Sequence, residues 1–238
     1  MADKKLTLVQ HLEELRIRLI KSVVFIFVCS VFVYSYIEDI LSFLAKPVGK
    51  LIFISPQEAF VVNLKVALWL GLFFSSPFVI YQVWQFISAG LKEGERKYAA
   101  IFGCFSFILF VAGCLFGCFV IVPIGIKFLM GSAPGFITPM ITLDNYVSFL
   151  GTLSLVFGII FQLPLVIMFL TKIGLISPSF LSRRWREAIV VIFIAAAILT
   201  PPDVFTQILM AVPLLILYGL GVALARLVRP VKKVDWIS

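Results

Sequence analysis

The residues best suited to chemistry in this 238-residue chain are a few polar groups set among apolar ones. Near the N-terminus, HLEELRIRL places Glu14 and Arg18 four residues apart, with Glu13 and Arg16 beside them. On a helix that spacing puts Glu14 and Arg18 on one face, where they pair. Further on, GLKEGERKY sets Glu93 and Glu95 among Lys92, Arg96 and Lys97. Two readings of these acids stay open. Either they are solvated partners of adjacent bases, each pair contributing little, or they are carboxylates that receive guanidinium groups through forked, charge-assisted hydrogen bonds, a geometry lysine reproduces poorly. Deeper in apolar sequence stand Asn63, Lys65, Gln82, Gln85, Gln162 and Gln207. Such groups face protein or a water-filled cavity. Gln82, Gln85 and Gln207 read as glue between helices. Gln162 precedes Pro164 by two residues, beside a carbonyl that the proline frees, and reads as the mark of a wet concavity. None of this is a catalytic constellation. The chain has no HExxH, GxSxG or GxxxxGK[ST] pattern and no paired intramembrane aspartates. We expect no enzyme, and any energised work must draw on a membrane gradient or a partner.

The elements that must position these residues follow from composition. With 62% hydrophobic and 13% charged residues, 25 Phe and a mean hydropathy of +1.13, the chain is too apolar for a soluble domain. The expected class is an all-α polytopic membrane protein, a single domain over residues 1–238 with six transmembrane helices. The spans fall at about 19–37, 59–91, 98–130, 146–170, 188–200 and 204–224, with a cytoplasmic amphipathic segment at 1–18 and a tail at 225–238. In that first segment Leu8, Leu12, Leu15 and Leu19 form one apolar stripe, as in a helix lying at the membrane interface. The second and third spans reach roughly 50 Å against a hydrocarbon core of about 30 Å, so they must tilt, bend or project. Pro77, after Ser75 and Ser76, is the expected kink. The fifth span reaches only roughly 20 Å before Pro201, Pro202 and Asp203 turn the chain. A helix that short is either a membrane-thinning, docking element or a half-length helix buried among the others.

All of the 20 basic residues except Lys46, Lys50, Lys65 and Lys127 fall on one side of this arrangement, which places both termini in the cytoplasm. The basic charge is thus topology, and no nucleic-acid partner is expected. One histidine, His11, and four scattered cysteines offer no metal site, disulfide pattern or cofactor site. The start lacks the order of a cleaved signal, so the first span is expected to direct insertion itself. No internal repeat is visible, which argues against an alternating-access carrier.

Four stretches, HLEELRIRL, SSPFVIYQVWQFISAGLKEGERK, FGIIFQLPLV and LTPPDVFTQ, resemble in order and spacing the TatC family of twin-arginine protein translocases. That resemblance covers essentially the whole chain. It implies a six-span receptor, shaped like a cupped hand in the cytoplasmic membrane of a prokaryote. Such a receptor binds the twin-arginine signal peptides of folded cargo proteins and exports them with single-span partners, TatA and/or TatB, using the proton-motive force. It also implies a homo-oligomer within a larger complex. By the same resemblance, Glu14 and Glu95, with Arg16 beside them, are the signal-peptide-binding residues. Pro47, Pro77, Phe86, Pro164, Pro201, Pro202 and Asp203 are structural motif positions, and Gln162, Thr200 and Gln207 are membrane-embedded polar positions for partner contact. The family commonly carries glutamate where this chain has Gln162, which cannot titrate, so the expected role there is a polar wedge. The alternatives are a small-solute permease, which needs a continuous polar pathway, and a membrane scaffold, which needs none of the cytoplasmic acids.

Overall fold

No glycine or proline interrupts the chain from Leu8 to Tyr34, and it forms one helix, α1, of 27 residues in the computed structural model. The structure describes residues 8–46, 51–91, 93–131, 140–200 and 203–228, and for 8, 93–95 and 97–100 the backbone only. Among the described residues the elements are helical. After α1 come α2 (Ile37–Ala45), α3 (Pro56–Ala89), α4 (Glu93–Phe116), a π turn (Gly117–Ile121) and α5 (Val122–Gly131). They are followed by α6 (Leu143–Ile160), α7 (Leu163–Lys172), α8 (Pro178–Arg183), α9 (Trp185–Leu199) and α10 (Val204–Leu227). Among the described residues five segments are long and apolar enough to cross a bilayer: Val9–Tyr34, Pro56–Ala89, Ile101–Gly131, Leu143–Lys172 and Val204–Leu227.

Each irregularity has a local cause. Pro123 cannot donate to Phe119 and its ring crowds that carbonyl, and the chain answers with the π turn just before α5. Pro164 likewise frees the Ile160 carbonyl and splits the fourth span at Phe161 and Gln162 into α6 and α7. Pro77, by contrast, sits inside an unbroken α3, where the Ser75 hydroxyl donates to the Leu72 carbonyl at 3.0 Å. Gly174, at φ 78°, closes α7: Leu175 N–H reaches the Leu170 carbonyl at 3.0 Å, and Gly174 N–H the Thr171 carbonyl at 3.0 Å. Helix α9 has 15 residues, roughly 22 Å, short of the hydrocarbon thickness as expected.

The N-terminal segment and the first span form one helix, since α1 passes through residues 18 and 19 without a break. Its leucines turn away from the bundle, Leu12 and Leu19 being 65% and 61% exposed, while His11, Glu14, Arg18 and Ser22 turn toward α3. Lipid accepts leucine readily, so the polar stripe takes the protein side.

The centre of the bundle is a seam between α4 and α6. A Cβ on Gly113 would lie 2.5 Å from the Phe157 carbonyl oxygen, and one on Gly158 would lie 2.6 Å from Cys114 Sγ. The two backbones touch because neither residue has a side chain. On one side of the seam Phe157, Met210 and Val222 pack α6 against α10 with Ile167 of α7. On the other, Val62, Val66, Tyr146 and Val147 join α3 to α6. At the end of the bundle away from Glu14, the Lys65 ammonium donates to Asp144 and, at 3.0 Å, to Ser148 Oγ. Glu58 accepts the backbone N–H of Ile54 at 2.8 Å and of Asp144 at 3.1 Å, tying α3 to the start of α6.

The seam makes a prediction. Gly113→Ala drives a methyl into the Phe157 carbonyl and should cost about 1–3 kcal/mol. Gly131→Ala, where nothing lies within 4 Å, should be neutral or slightly stabilising. Thermal unfolding of the two variants in detergent checks both.

Candidate functional site

Glu14 stands at the mouth of a groove between α1, α3 and α4. The hollow measures about 910 Å³ and is lined by Glu14 and Arg18 of α1, by Tyr81, Trp84, Gln85 and Ser88 of α3, and by Arg96, Cys104 and Phe107 of α4. The helix spacing read from sequence does bring Glu14 and Arg18 together: Arg18 Nη2 and Nε donate to Glu14 Oε1 at 2.5 and 2.9 Å. Both side chains keep 23% exposure, so the pair is neither desolvated nor free in water. Arg18 has a second partner, since its Nη1 donates to Gln82 Oε1 at 3.0 Å, and Gln82 is buried. Gln82 thus acts as glue, joining α1 to α3.

Phe86 takes its place one turn further along α3. Its ring stacks on His11 with centroids 4.3 Å apart and planes at 17°, which holds the start of α1 against α3. Beneath the groove, Trp84 stacks on Phe102 at 5.9 Å and meets Phe169 edge-on at 5.1 Å. Those three rings fix α3, α4 and α7 to one another and give the groove a rigid aromatic floor. At its rim, Arg96 Nε donates to the Ser88 carbonyl at 3.3 Å, and Gln85 Nε2 to Tyr81 Oη at 3.1 Å. Arg16 is exposed. The backbone of Glu95 lies in the first turn of α4, one residue before Arg96, but its side chain lies outside the described residues. Pro47, Pro201 and Pro202 also lie outside them.

Gln162 is partly exposed and ties its amide to the third span. Its Nε2 donates to the Ser106 carbonyl at 3.0 Å and its Oε1 accepts the Ser106 hydroxyl at 2.5 Å, so both ends of the amide are spent on α4. The amide bridges the proline-broken fourth span to the third, continuing the glycine seam with hydrogen bonds. A second hollow, largely apolar and about 470 Å³ in volume, lies between α5, α6 and the end of α9. Asn145, Ser148 and Thr152 line it at helical spacing along α6, a signal present in the sequence and not read there.

The short α9–α10 pair is clamped from within. Thr200 is buried with its hydroxyl on the Ala196 carbonyl at 2.8 Å, and Gln207 Nε2 donates to the Phe193 carbonyl at 3.0 Å, joining α10 to α9. Asp203 caps α10, accepting Thr206 N–H at 2.7 Å. Around the turn between them the pair leaves apolar side chains outward: Ile198 is 78% exposed and Val204 71%.

Gln162→Leu strands the Ser106 hydroxyl in the protein interior, so it should lower stability by about 1–3 kcal/mol. The loss should overlap strongly with that of Ser106→Ala in a double-mutant cycle read by thermal unfolding, whereas independent residues would give additive losses.

Comparison with known proteins agrees with this architecture. Residues 10–213 match the family model described as Sec-independent protein translocase protein (TatC). The Sec-independent protein translocase protein TatC of Carboxydothermus hydrogenoformans is 42% identical over 235 residues, 97% of this chain and 97% of that one. The TatC of Aquifex aeolicus is 36% identical over 95% of this chain and 97% of its own length. A crystal structure of the twin-arginine translocase receptor TatC superposes with a TM-score of 0.82 at 36% identity, covering 91% of this chain and 98% of that one. The chain is a bacterial membrane protein and belongs to the TatC family of Sec-independent protein translocase proteins.

Proposed function

We propose that this chain is the receptor and core component of a twin-arginine protein translocase, a non-enzymatic protein that binds the signal peptides of folded proteins at the cytoplasmic face. The observation that carries this reading is the placement of Glu14: a partly exposed carboxylate at the mouth of an aromatic-floored groove about 910 Å³ in volume. Chemically, a carboxylate in such a setting accepts a guanidinium in a fork, and the apolar walls supplied by Trp84 and Phe107 suit the hydrophobic stretch that follows the arginines in a signal peptide. In this reading Glu95, whose backbone begins α4 at the same end, supplies the second carboxylate, and Arg16 a neighbouring charge. A structurally similar solved protein is called a twin-arginine translocase receptor, which supports the same reading.

The rest of the reading follows the distribution of charge and apolar surface. The basic residues put both termini in the cytoplasm, with α9 as a short sixth span. The outward face of α9 and α10, with Ile198 and Val204, is the docking surface for a single-span TatA or TatB helix, with Thr200 and Gln207 bracing it from behind. Several copies assemble with those partners in a complex driven by the proton-motive force.

The carboxylates are the direct test. Glu14→Gln and Glu95→Gln keep size and hydrogen-bonding capacity but remove charge. Each should weaken binding of a fluorescent twin-arginine peptide to the purified protein by about 1–3 kcal/mol without changing its thermal unfolding much. Affinities equal to that of the parent chain would contradict the assignment.

A further inference from the structure

The receptor site is already occupied by a guanidinium, and it belongs to the chain itself. Two nitrogens of Arg18 converge on Glu14 Oε1, at 2.5 and 2.9 Å, while among the described residues Glu14 Oε2 has only His11 Nδ1 at 4.0 Å, beyond hydrogen-bond reach. A forked guanidinium needs both carboxylate oxygens, and half of this one is taken. Charge points the same way. Among the described residues lining the groove, Arg18 and Arg96 stand against Glu14 alone, so an arginine arriving with both in place would enter a positive site. Arg96 is held at the rim by Ser88, outside the carboxylate's hydrogen bonds, which leaves Arg18 as the group to be displaced. Arg18 has somewhere to go: its third nitrogen already donates to Gln82 Oε1 at 3.0 Å, and Gln82 is fixed in the interior.

We propose that Arg18 is an internal stand-in for the ligand's guanidinium, paired with Glu14 in the empty receptor and retained on Gln82 when a peptide arginine takes the carboxylate. This rests on the reading of Glu14 as a peptide-binding residue. The exchange replaces one guanidinium by another on the same carboxylate, so Glu14 keeps a cationic partner in either state. Binding strength is then set by a difference between two similar contacts, which keeps the peptide releasable. Gln82 sets that difference. The stronger its hold on Arg18, the more freely Glu14 is surrendered.

The test is a titration of a twin-arginine peptide, with a twin-lysine peptide alongside, against the full chain in detergent micelles. Arg18→Gln frees Glu14 and should tighten twin-arginine binding about twofold to tenfold. Arg18→Lys keeps the charge but gives up the fork, and it should also tighten binding, by less. A purely electrostatic effect would leave the lysine variant unchanged. Gln82→Leu removes the alternative partner, locks Arg18 onto Glu14 and should weaken binding by a similar factor. Opposite signs for Arg18→Gln and Gln82→Leu are the mark of exchange, since a bond that merely holds α1 to α3 would move both in the same direction. Arg18→Gln binding no better than the parent, or Gln82→Leu binding better, would overturn the proposal while leaving the receptor reading intact. A parent chain that does not prefer the twin-arginine peptide would instead end that reading, and this proposal with it.

Discussion

The contact on which the rest of the molecule depends is the side-chain-free crossing of α4 and α6 at Gly113 and Gly158, where a Cβ on either would lie within 2.6 Å of the opposing helix. In lipid there is no hydrophobic gain in bringing two apolar helices together, so close van der Waals contact and internal hydrogen bonds must do it. The crossing supplies the first and Gln162 on Ser106 the second. From that fixed pair, α3 and α1 extend in one direction and α7, α10 and α9 in the other. The groove at the Glu14 end is what remains where α1, α3 and α4 meet above Trp84, Phe102 and Phe169.

Function on this scaffold asks for a site that is firm below and exchangeable above. The aromatic floor is rigid because three rings from three helices meet in two packing geometries, stacked and edge-on. The polar layer over it is built from single hydrogen bonds and one partly exposed ion pair, contacts that contribute little each and reorganise easily. That division suits the proposed receptor, which would hold a peptide and then let it go. The α9–α10 pair shows the same economy: Thr200 and Gln207 spend their hydrogen bonds internally, while Ile198 and Val204 face outward.

Much of this was legible in the sequence. The long apolar blocks, the short helix ending at Leu199 and the pairing of Glu14 with Arg18 follow from hydropathy and spacing, whereas the expected break at Pro77 fell at Pro164 instead. Which way a helix faces did not follow. That the stripe of His11, Glu14, Arg18 and Ser22 packs toward α3 rather than facing water depends on where α3 runs, which spacing within α1 does not carry. The role of Gln162 was hidden for another reason. Its polarity was visible, but its partner, Ser106, is 56 residues away, and only the helix crossing brings the two together. The stripe of Asn145, Ser148 and Thr152 was readable by spacing alone, whereas the hollow it lines depends on α5 and α9 as well.

The central claim is that the groove between α1, α3 and α4 receives the signal peptide. The most direct measurement places a photocrosslinking residue at Gln85 or Phe107, which line the groove, or at Val191, which is 63% exposed on α9, and exposes membrane vesicles to twin-arginine and twin-lysine peptides. The account predicts adducts at Gln85 and Phe107 with the twin-arginine peptide alone and none at Val191. Adducts confined to Val191, or formed equally by both peptides at the groove positions, would contradict it.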